Sequence, residues 1–322
     1  QALSSVPIRQ SNDGTYTLSI LEKARLNFLA NNFKGSKKDF DIAYAKVEQQ
    51  QQAAKIELSR GIENVGAILS NDNATRYDVP LYEQSMLHSY QALNYLYQQD
   101  LSGALVEVRR ANLVQQNALR VNQDAISQSQ QAMAEQGVSM SSLSNKYPSM
   151  GTAIGQVKNG FQNAYTFYLS ALLYEAAGEF NSAYIDYKRA LEISPNNQYI
   201  QKDLWRLANM LSMYSDLTLY KNRFNTNITE SNVNNDQGEV VILVEQGIIA
   251  PKQEISLHLP IFTSHNDMRF YSFALPSYQN NLRSYPPLQI TYQGESYISQ
   301  EIARLQSLAA KQLQDDLPMI LT

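Results

Sequence analysis

The fold of this chain can be predicted first from the stretch GEFNSAYIDYKRALEISPNN, residues 178–197. After Gly178 its apolar residues recur at helical spacing, and they stop before Pro195, which predicts a turn and then a helix that ends at that proline. Residues 167–177 just upstream have the same helical spacing. We therefore predict two antiparallel helices, which small Ala171 and Ala183 allow to approach closely.

This pattern resembles the tetratricopeptide repeat (TPR), a helix–turn–helix unit of about 34 residues. The residues that match it are Phe167, Ala171, Tyr174, Gly178, Phe180, Ala183, Tyr187, Ala190 and Pro195. A second unit, YQALNYLYQQDLSGALVEVRRA at 90–111, has Ala92, Tyr95, Leu101, Ala104, Val108 and Ala111 at the same offsets. Because Ala104 and Ala183 are 79 residues apart, we expect an irregular array rather than a regular superhelix.

A third and weaker unit is LEKARLNFLANNFKGSKKDFDIA, residues 21–43. It has Ala24, Phe33, Phe40 and Ala43 in matching places, but Ser36 stands where the small alanine is expected. Helical spacing also continues well beyond each unit. We predict two long helices, over residues 36–69 and 101–136, and an exposed connection over residues 139–155.

Stacked helix pairs leave a concave face lined by the first helix of each pair, and such faces bind peptides or partner helices. Tyrosine and methionine suit adaptable recognition because they offer contact area with a polar or flexible end. Each such residue taken alone is more often part of a core, so the prediction concerns the set. The predicted partner-binding residues are Met86, Ser89, Leu93 and Tyr97 in one unit, and Tyr165, Tyr168, Leu172 and Glu175 in the other.

The composition changes after Tyr220, where an asparagine-rich stretch precedes β-branched and aromatic residues. We predict an α+β protein in which a TPR-like helical-hairpin domain is followed by a small, mainly antiparallel β domain with a C-terminal helix. The predicted boundaries are 1–224 for the helical domain, 225–237 for the linker and 238–322 for the β domain. The predicted strands are 239–245, 254–262, 268–275, 288–292 and 297–299, and the closing helix is 300–313. Gly247 and Pro251 predict a hairpin between the first two strands.

Composition excludes several kinds of function. The net charge is −4, so the chain has no basic footprint and nucleic acid is not an expected partner. Cysteine is absent, which removes disulfides and thiolate chemistry. The histidines His88, His258 and His265 are too dispersed for a metal-ligand motif, and no phosphate loop or nucleophile elbow occurs. We therefore predict a protein that is not an enzyme and has no cofactor or metal.

The stretch GEVVILVEQGIIAPKQEISLHLPIF at 238–262, followed by FALPSYQ, resembles a family of TPR-like Gram-negative outer-membrane lipoproteins. The matching positions are Val240, Val241, Leu243, Glu245, Gly247, Pro251, Lys252 and Glu254, and residues 24–43 resemble the first helical pair of that family. The resemblance implies a periplasmic protein tethered to the outer membrane by a lipid on a cysteine upstream of Gln1. It also implies a link to cell-wall synthesis through a penicillin-binding-protein activator, and it supplies no catalytic residues.

These observations predict a non-catalytic scaffold or assembly factor of the cell envelope that binds an envelope protein or peptide on the concave face. Two alternatives stay open at this point. The chain could be a homo-oligomeric structural subunit of an envelope ring or appendage, such as flagellar, pilus or secretion machinery. It could also be an enzyme whose site is built by the β domain, which a deep pocket lined by convergent polar groups would favour.

Overall fold

The computed structural model describes residues 5–7, 9–59, 77–135, 147–229, 239–262 and 268–321. They form an α+β structure in which helices predominate and two small two-stranded sheets occur. The chain is divided into two compact units. The described parts of Gln1–Pro148, Glu254–Leu275 and Gln312–Thr322 form the first unit, and those of Ser149–Gln253 and Pro276–Lys311 form the second.

The first unit is built from consecutive helix pairs. Its helices are α1 (Tyr16–Leu29), α2 (Phe33–Ser59), α3 (Leu81–Tyr97) and α4 (Leu101–Glu135). Helix α1 packs against α2, α3 packs against α4, and α2 also packs against α3. The helices approach closely where small residues meet, since Ala24, Ala43, Ala92 and Ala104 are fully buried. The long helix predicted over 36–69 begins at Phe33, and residues 60–69 lie outside the described part of the chain.

The second unit repeats this construction. Its helices are α5 (Gly151–Ile154), α6 (Ala164–Ala176), α7 (Phe180–Ile193), α8 (Gln198–Met210), α9 (Tyr214–Arg223) and α10 (Thr226–Thr229). Helix α6 packs against α7 with Ala171 and Ala183 fully buried, and α8 packs against α7 and α9. Asparagine caps start two of these helices. The side chain of Asn163 accepts the backbone N–H of Tyr165, and Asn197 does the same for Tyr199.

The β segments are β1 (Gln253–Phe262), β2 (Met268–Ser277), β3 (Gln289–Tyr292) and β4 (Glu295–Ile298), followed by α11 (Leu305–Leu321). Strand β1 pairs with β2, and β3 forms an antiparallel hairpin with β4. The hydroxyl of Tyr199 donates to the carbonyl of Ile298 over 2.8 Å, which joins the β3–β4 hairpin to the start of α8. Strands β1 to β4 confirm four of the five predicted strands within a few residues.

Each first helix ends in the same left-handed turn. The residue two positions before the second helix has a positive φ in all four pairs: Asn31 at 58°, Gln99 at 61°, Gly178 at 75° and Ser212 at 57°. The next backbone N–H reaches back five residues, for instance from Asp100 to the carbonyl of Tyr95 and from Met213 to that of Ala208. This is a Schellman motif, which satisfies carbonyls at the helix end. The pair α8–α9 is thus a fourth hairpin that the sequence analysis did not identify.

One prediction about the connections is wrong, and another holds only in part. Residues 239–245 do not form a strand but run extended without a ladder, so the predicted hairpin with residues 254–262 is absent and β1 pairs with β2 instead. The connection predicted as exposed over 139–155 is exposed only in part where it is described: Met150 is 2% and Ala153 0% exposed, whereas Pro148, Ser149, Gly151, Thr152 and Gly155 are exposed. There Ser307 donates to the carbonyl of Ala153 and Asn280 accepts the N–H of Thr152. The predicted linker lies largely outside the described residues, at 230–237.

Candidate functional site

The predicted partner-binding residues differ widely in exposure. Four of them are buried: Met86 and Ser89 in the first unit, and Tyr165 and Tyr168 in the second. Three are half-buried, namely Leu93, Leu172 and Glu175, and Tyr97 is 59% exposed. Helix α3 lies against both α2 and α4, and α6 packs against α7 and bonds to α8 through Tyr168 and Glu175. Partner binding through the set stays a prediction, which Tyr97 can serve directly because its ring is accessible.

Tyr97 belongs to an aromatic cluster in the first unit. Its ring stacks on that of Phe33 at 4.2 Å between centroids and meets the edge of Phe28 at 5.9 Å. The ring of Tyr90 also contacts Phe28, at 5.3 Å between centroids, and the guanidinium of Arg25 lies 4.5 Å from the centre of the Tyr90 ring. One face of Tyr97 is therefore fixed by packing while the rest of the ring remains open to a partner.

In the second unit, the predicted residues Tyr168 and Glu175 belong to a polar network that we call the carboxylate cluster. Its members are Tyr168 and Glu175 of α6, Tyr187 of α7, and Asp203 and Arg206 of α8. Tyr168 donates to Asp203 over 2.7 Å, and Tyr187 donates to Glu175 over 3.0 Å. Arg206 binds Glu175 with both terminal nitrogens and lies 3.6 Å from Asp203. The cluster thereby links three helices of the unit.

The electrostatics of the cluster centre on Asp203, which is 3% exposed. Burial raises the pKa of its carboxyl to about 6; the hydrogen bond from Tyr168 and the charge of Arg206 oppose the rise, whereas the charges of Glu239 and Glu175 add to it. Burial also raises the pKa of Tyr168 and Tyr187, so both phenols stay protonated and act as donors. With one guanidinium among three carboxylates, the surroundings of Asp203 carry excess negative charge.

A buried carboxylate recurs at one position of the helix pairs. Asp39, Glu107 and Asp186 each stand three residues after the small residue at the helix crossing, and each is at most 4% exposed. Asn27 donates to Asp39 over 2.8 Å, His88 bonds to Glu107 over 2.7 Å, and Ser170 donates to Asp186 over 2.6 Å. The signal in the sequence is a small residue followed three positions later by an acid in the second helix. The acids serve to join the helices of each pair.

A further candidate site is the extended run of residues 240–244, VVILV, in the second unit. Its five apolar side chains are 84%, 41%, 52%, 37% and 40% exposed in order along the chain. The end of the run is anchored: Gly247 has φ of 79°, and a Cβ there would lie 2.0 Å from the hydroxyl of Tyr285. Gln306 accepts the N–H of Ala250 over 2.6 Å. The anchored run presents apolar surface to solvent.

Sites for small ligands are less well built. An open cavity of about 420 Å³ in the first unit is lined by Lys23, Asn27 and Asp39 among others, but Lys23 and Asn27 both donate to the carboxylate of Asp39. Among the described residues, no group of His, Cys, Asp or Glu side chains could hold a metal ion. His88 is buried against Glu107, while the side chain of His258 and the whole of His265 lie outside the described part.

Within the described ranges, no helix has the length and apolar character needed to cross a membrane. In comparisons with known proteins, no family model and no curated protein matches the chain significantly.

Proposed function

We propose that the chain is a non-catalytic protein-interaction scaffold of the bacterial cell envelope that binds a protein or peptide partner. The exposed apolar run 240–244 carries this proposal. Contiguous exposed apolar surface is typical of interaction sites. The run is anchored by the contacts of Gly247 and Ala250, so a partner would meet a largely preformed segment.

The helical part supports the same function. Four helix pairs with a common turn form the body of the chain, and Gly178 and Ser212 stand 34 residues apart, which is the length of a TPR unit. TPR-like arrays serve as rigid supports for binding surfaces. The envelope location, the outer-membrane tether and the link to cell-wall synthesis are part of the proposal and come from the resemblance of residues 238–262.

Site-specific photo-crosslinking tests the proposal. A photoreactive phenylalanine analogue replaces Val240 or Ile242 in the full chain, and as a matched control it replaces Tyr214, which is 74% exposed on helix α9. After incubation with a Gram-negative envelope extract, we expect discrete adducts at positions 240 and 242 that are much stronger than those at position 214.

Two results would contradict the proposal. Adducts of equal strength at Tyr214 and at Ile242 would mean that the run is ordinary surface. An adduct that contains two copies of the 36.4 kDa chain and no other protein would instead favour the structural-subunit alternative.

A further inference from the structure

The backbone of residues 240–244 has hydrogen-bonding groups that could pair with an added strand. Within the described residues, their N–H and C=O groups make no hydrogen bond to any other segment. The sequence VVILV contains four β-branched residues of five, the type that favours strands. An extended segment with unpaired backbone groups is a template for pairing with a strand from another chain.

The side chains of the run are unevenly exposed. Val240 and Ile242 are 84% and 52% exposed, whereas Val241, Leu243 and Val244 are 41%, 37% and 40% exposed. Successive side chains of a strand point to opposite faces, and so do its successive N–H groups to opposite edges. A strand added to the run would therefore use the N–H groups of alternate residues.

The glutamates at the two ends of the run restrict which strands can pair with it. Glu239 stands at its first end, close enough to Asp203 and Tyr168 for its charge to raise the pKa of both. Antiparallel pairing with a second copy, centred on Ile242, would place Glu239 of one copy opposite Glu245 of the other. Like charges directly opposite each other destabilise a strand pair. A strand with a basic residue at that end is favoured over a second copy.

We propose that residues 240–244 bind a partner protein by accepting an added β-strand whose apolar side chains alternate and whose residue opposite Glu239 is Lys or Arg. This inference rests on the proposed scaffold function and specifies how that function recognises its partner. Backbone hydrogen bonds would provide affinity, and the carboxylate of Glu239 would favour a basic residue on the added strand.

A pair of proline variants tests strand addition. Proline removes one backbone N–H, and the N–H groups of Val241 and Ile242 point to opposite edges of an extended segment. The probe is the fluorescent peptide Lys-Thr-Val-Thr-Val-Thr-Val-Thr-Lys, and its binding to the full chain is followed by anisotropy. We expect Val241→Pro and Ile242→Pro to differ, one losing roughly fivefold to tenfold in affinity and the other losing little, since a partner uses one edge.

Thermal unfolding tests whether the two proline variants still fold normally. Neither position donates a hydrogen bond within the described residues, and the residue before each proline is already extended, so thermal unfolding should match that of the original chain. Equal affinity in both proline variants, or equal loss in both, would overturn strand addition. If the crosslinks at Ile242 persist in that case, the scaffold function stands and only its recognition mode falls.

The charge preference has its own test. A peptide with Glu at both ends should bind the full chain at least about tenfold more weakly than the Lys-ended peptide. Glu239→Gln should reduce this preference, whereas Glu22→Gln, a change at an exposed glutamate of helix α1, should leave it unchanged. Equal binding of the two peptides would refute the basic partner strand. A Lys preference that is the same in Glu239→Gln would refute the role given to that carboxylate.

Discussion

The helix pairs α3–α4 and α6–α7 lie in different units, yet equivalent residues are 79 positions apart in the two. Each second helix contains a buried acid that is paired with an arginine three residues later. Glu107 accepts from Arg110 over 2.7 Å, and Asp186 accepts from Arg189 over 2.9 Å. The acid–arginine pair is therefore a shared feature of two hairpins whose other residues differ.

The two pairs differ in the residue of the first helix that bonds to the acid. Glu107 bonds to His88 of the first helix, whereas Asp186 accepts from Ser170. The position equivalent to His88 is Phe167, and the guanidinium of Arg189 lies 5.7 Å from the centre of that ring. A repeat can thus preserve a buried charge while it changes the donor that satisfies that charge.

The buried acids of the two pairs should differ in how much they contribute to stability. Glu107→Ala should lower the free energy of unfolding by about 3–5 kcal/mol, because His88 is 2% exposed and would lose the acceptor of its ring nitrogen. Asp186→Ala should cost less, about 2–3 kcal/mol, because the Ser170 hydroxyl can turn to a backbone carbonyl of its own helix. Urea unfolding followed by circular dichroism measures both values.

The control for both alanine variants is Glu192→Ala, at an exposed position of helix α7, which should change stability by less than about 0.5 kcal/mol. If Asp186→Ala lowered the free energy of unfolding as much as Glu107→Ala, the residue of the first helix that bonds to the acid would not determine the loss. The histidine and the serine would then be equivalent in energy despite their different chemistry.

The next prediction concerns Asp203 of helix α8, whose carboxylate accepts a hydrogen bond from Tyr168 of the α6–α7 pair. The pKa of Asp203 in the folded state, about 6, is above the ordinary value of 3.8. At a pH between these two values, the folded state therefore binds a proton that the unfolded state has released. Stability from this proton is full below about pH 4 and is lost as the pH rises through about 6.

Asparagine resembles the neutral acid, so Asp203→Asn should be more stable than the original chain at pH 7 by about 2 kcal/mol, and the gap should close near pH 4. Thermal unfolding at the two pH values gives the comparison, with Glu192→Gln as the control. A gap that is the same at pH 4 and pH 7 would contradict the raised pKa.

The sequence predicted the helical hairpins because close helix crossings need small residues. Ala92, Ala104, Ala171 and Ala183 were identified by spacing, and all four are fully buried. The weaker first unit is also a helix pair, and Ser36 replaces alanine there because the amide of Asn94 donates to its hydroxyl over 2.9 Å. Spacing and residue size were sufficient in these cases.

The fourth pair was missed because its crossing lacks the small residue. The counterpart of Ala183, 34 residues on, is Leu217, so only the turn at Ser212 is preserved. Backbone conformation of this kind leaves little trace in side-chain types, since asparagine, glutamine, glycine and serine occupy the four turns.

The candidate site was predicted less well than the fold. Helical spacing identifies an apolar face but does not distinguish a face covered by the next helix from one open to a partner, which explains why Tyr165 and Tyr168 are buried. Residues 239–245 have strand composition, but a strand needs a neighbour, and β1 pairs with β2. The unpaired run 240–244 became visible only from the structure.

The two pairs also differ at the left-handed turn between their helices, where α3–α4 has Gln99 and α6–α7 has Gly178. A left-handed conformation costs a residue with a side chain about 1 kcal/mol, so Gln99→Gly should stabilise the chain and Gly178→Ala should destabilise it by similar amounts. No atom lies within 4 Å of a Cβ placed on Gly178, so the loss there would come from the backbone alone.

Gln98→Gly is the matched control, since Gln98 has φ of −96° and glycine should not stabilise it. Thermal unfolding should therefore shift in opposite directions for Gln99→Gly and Gln98→Gly, and shifts in the same direction would show that the left-handed turn stores no strain.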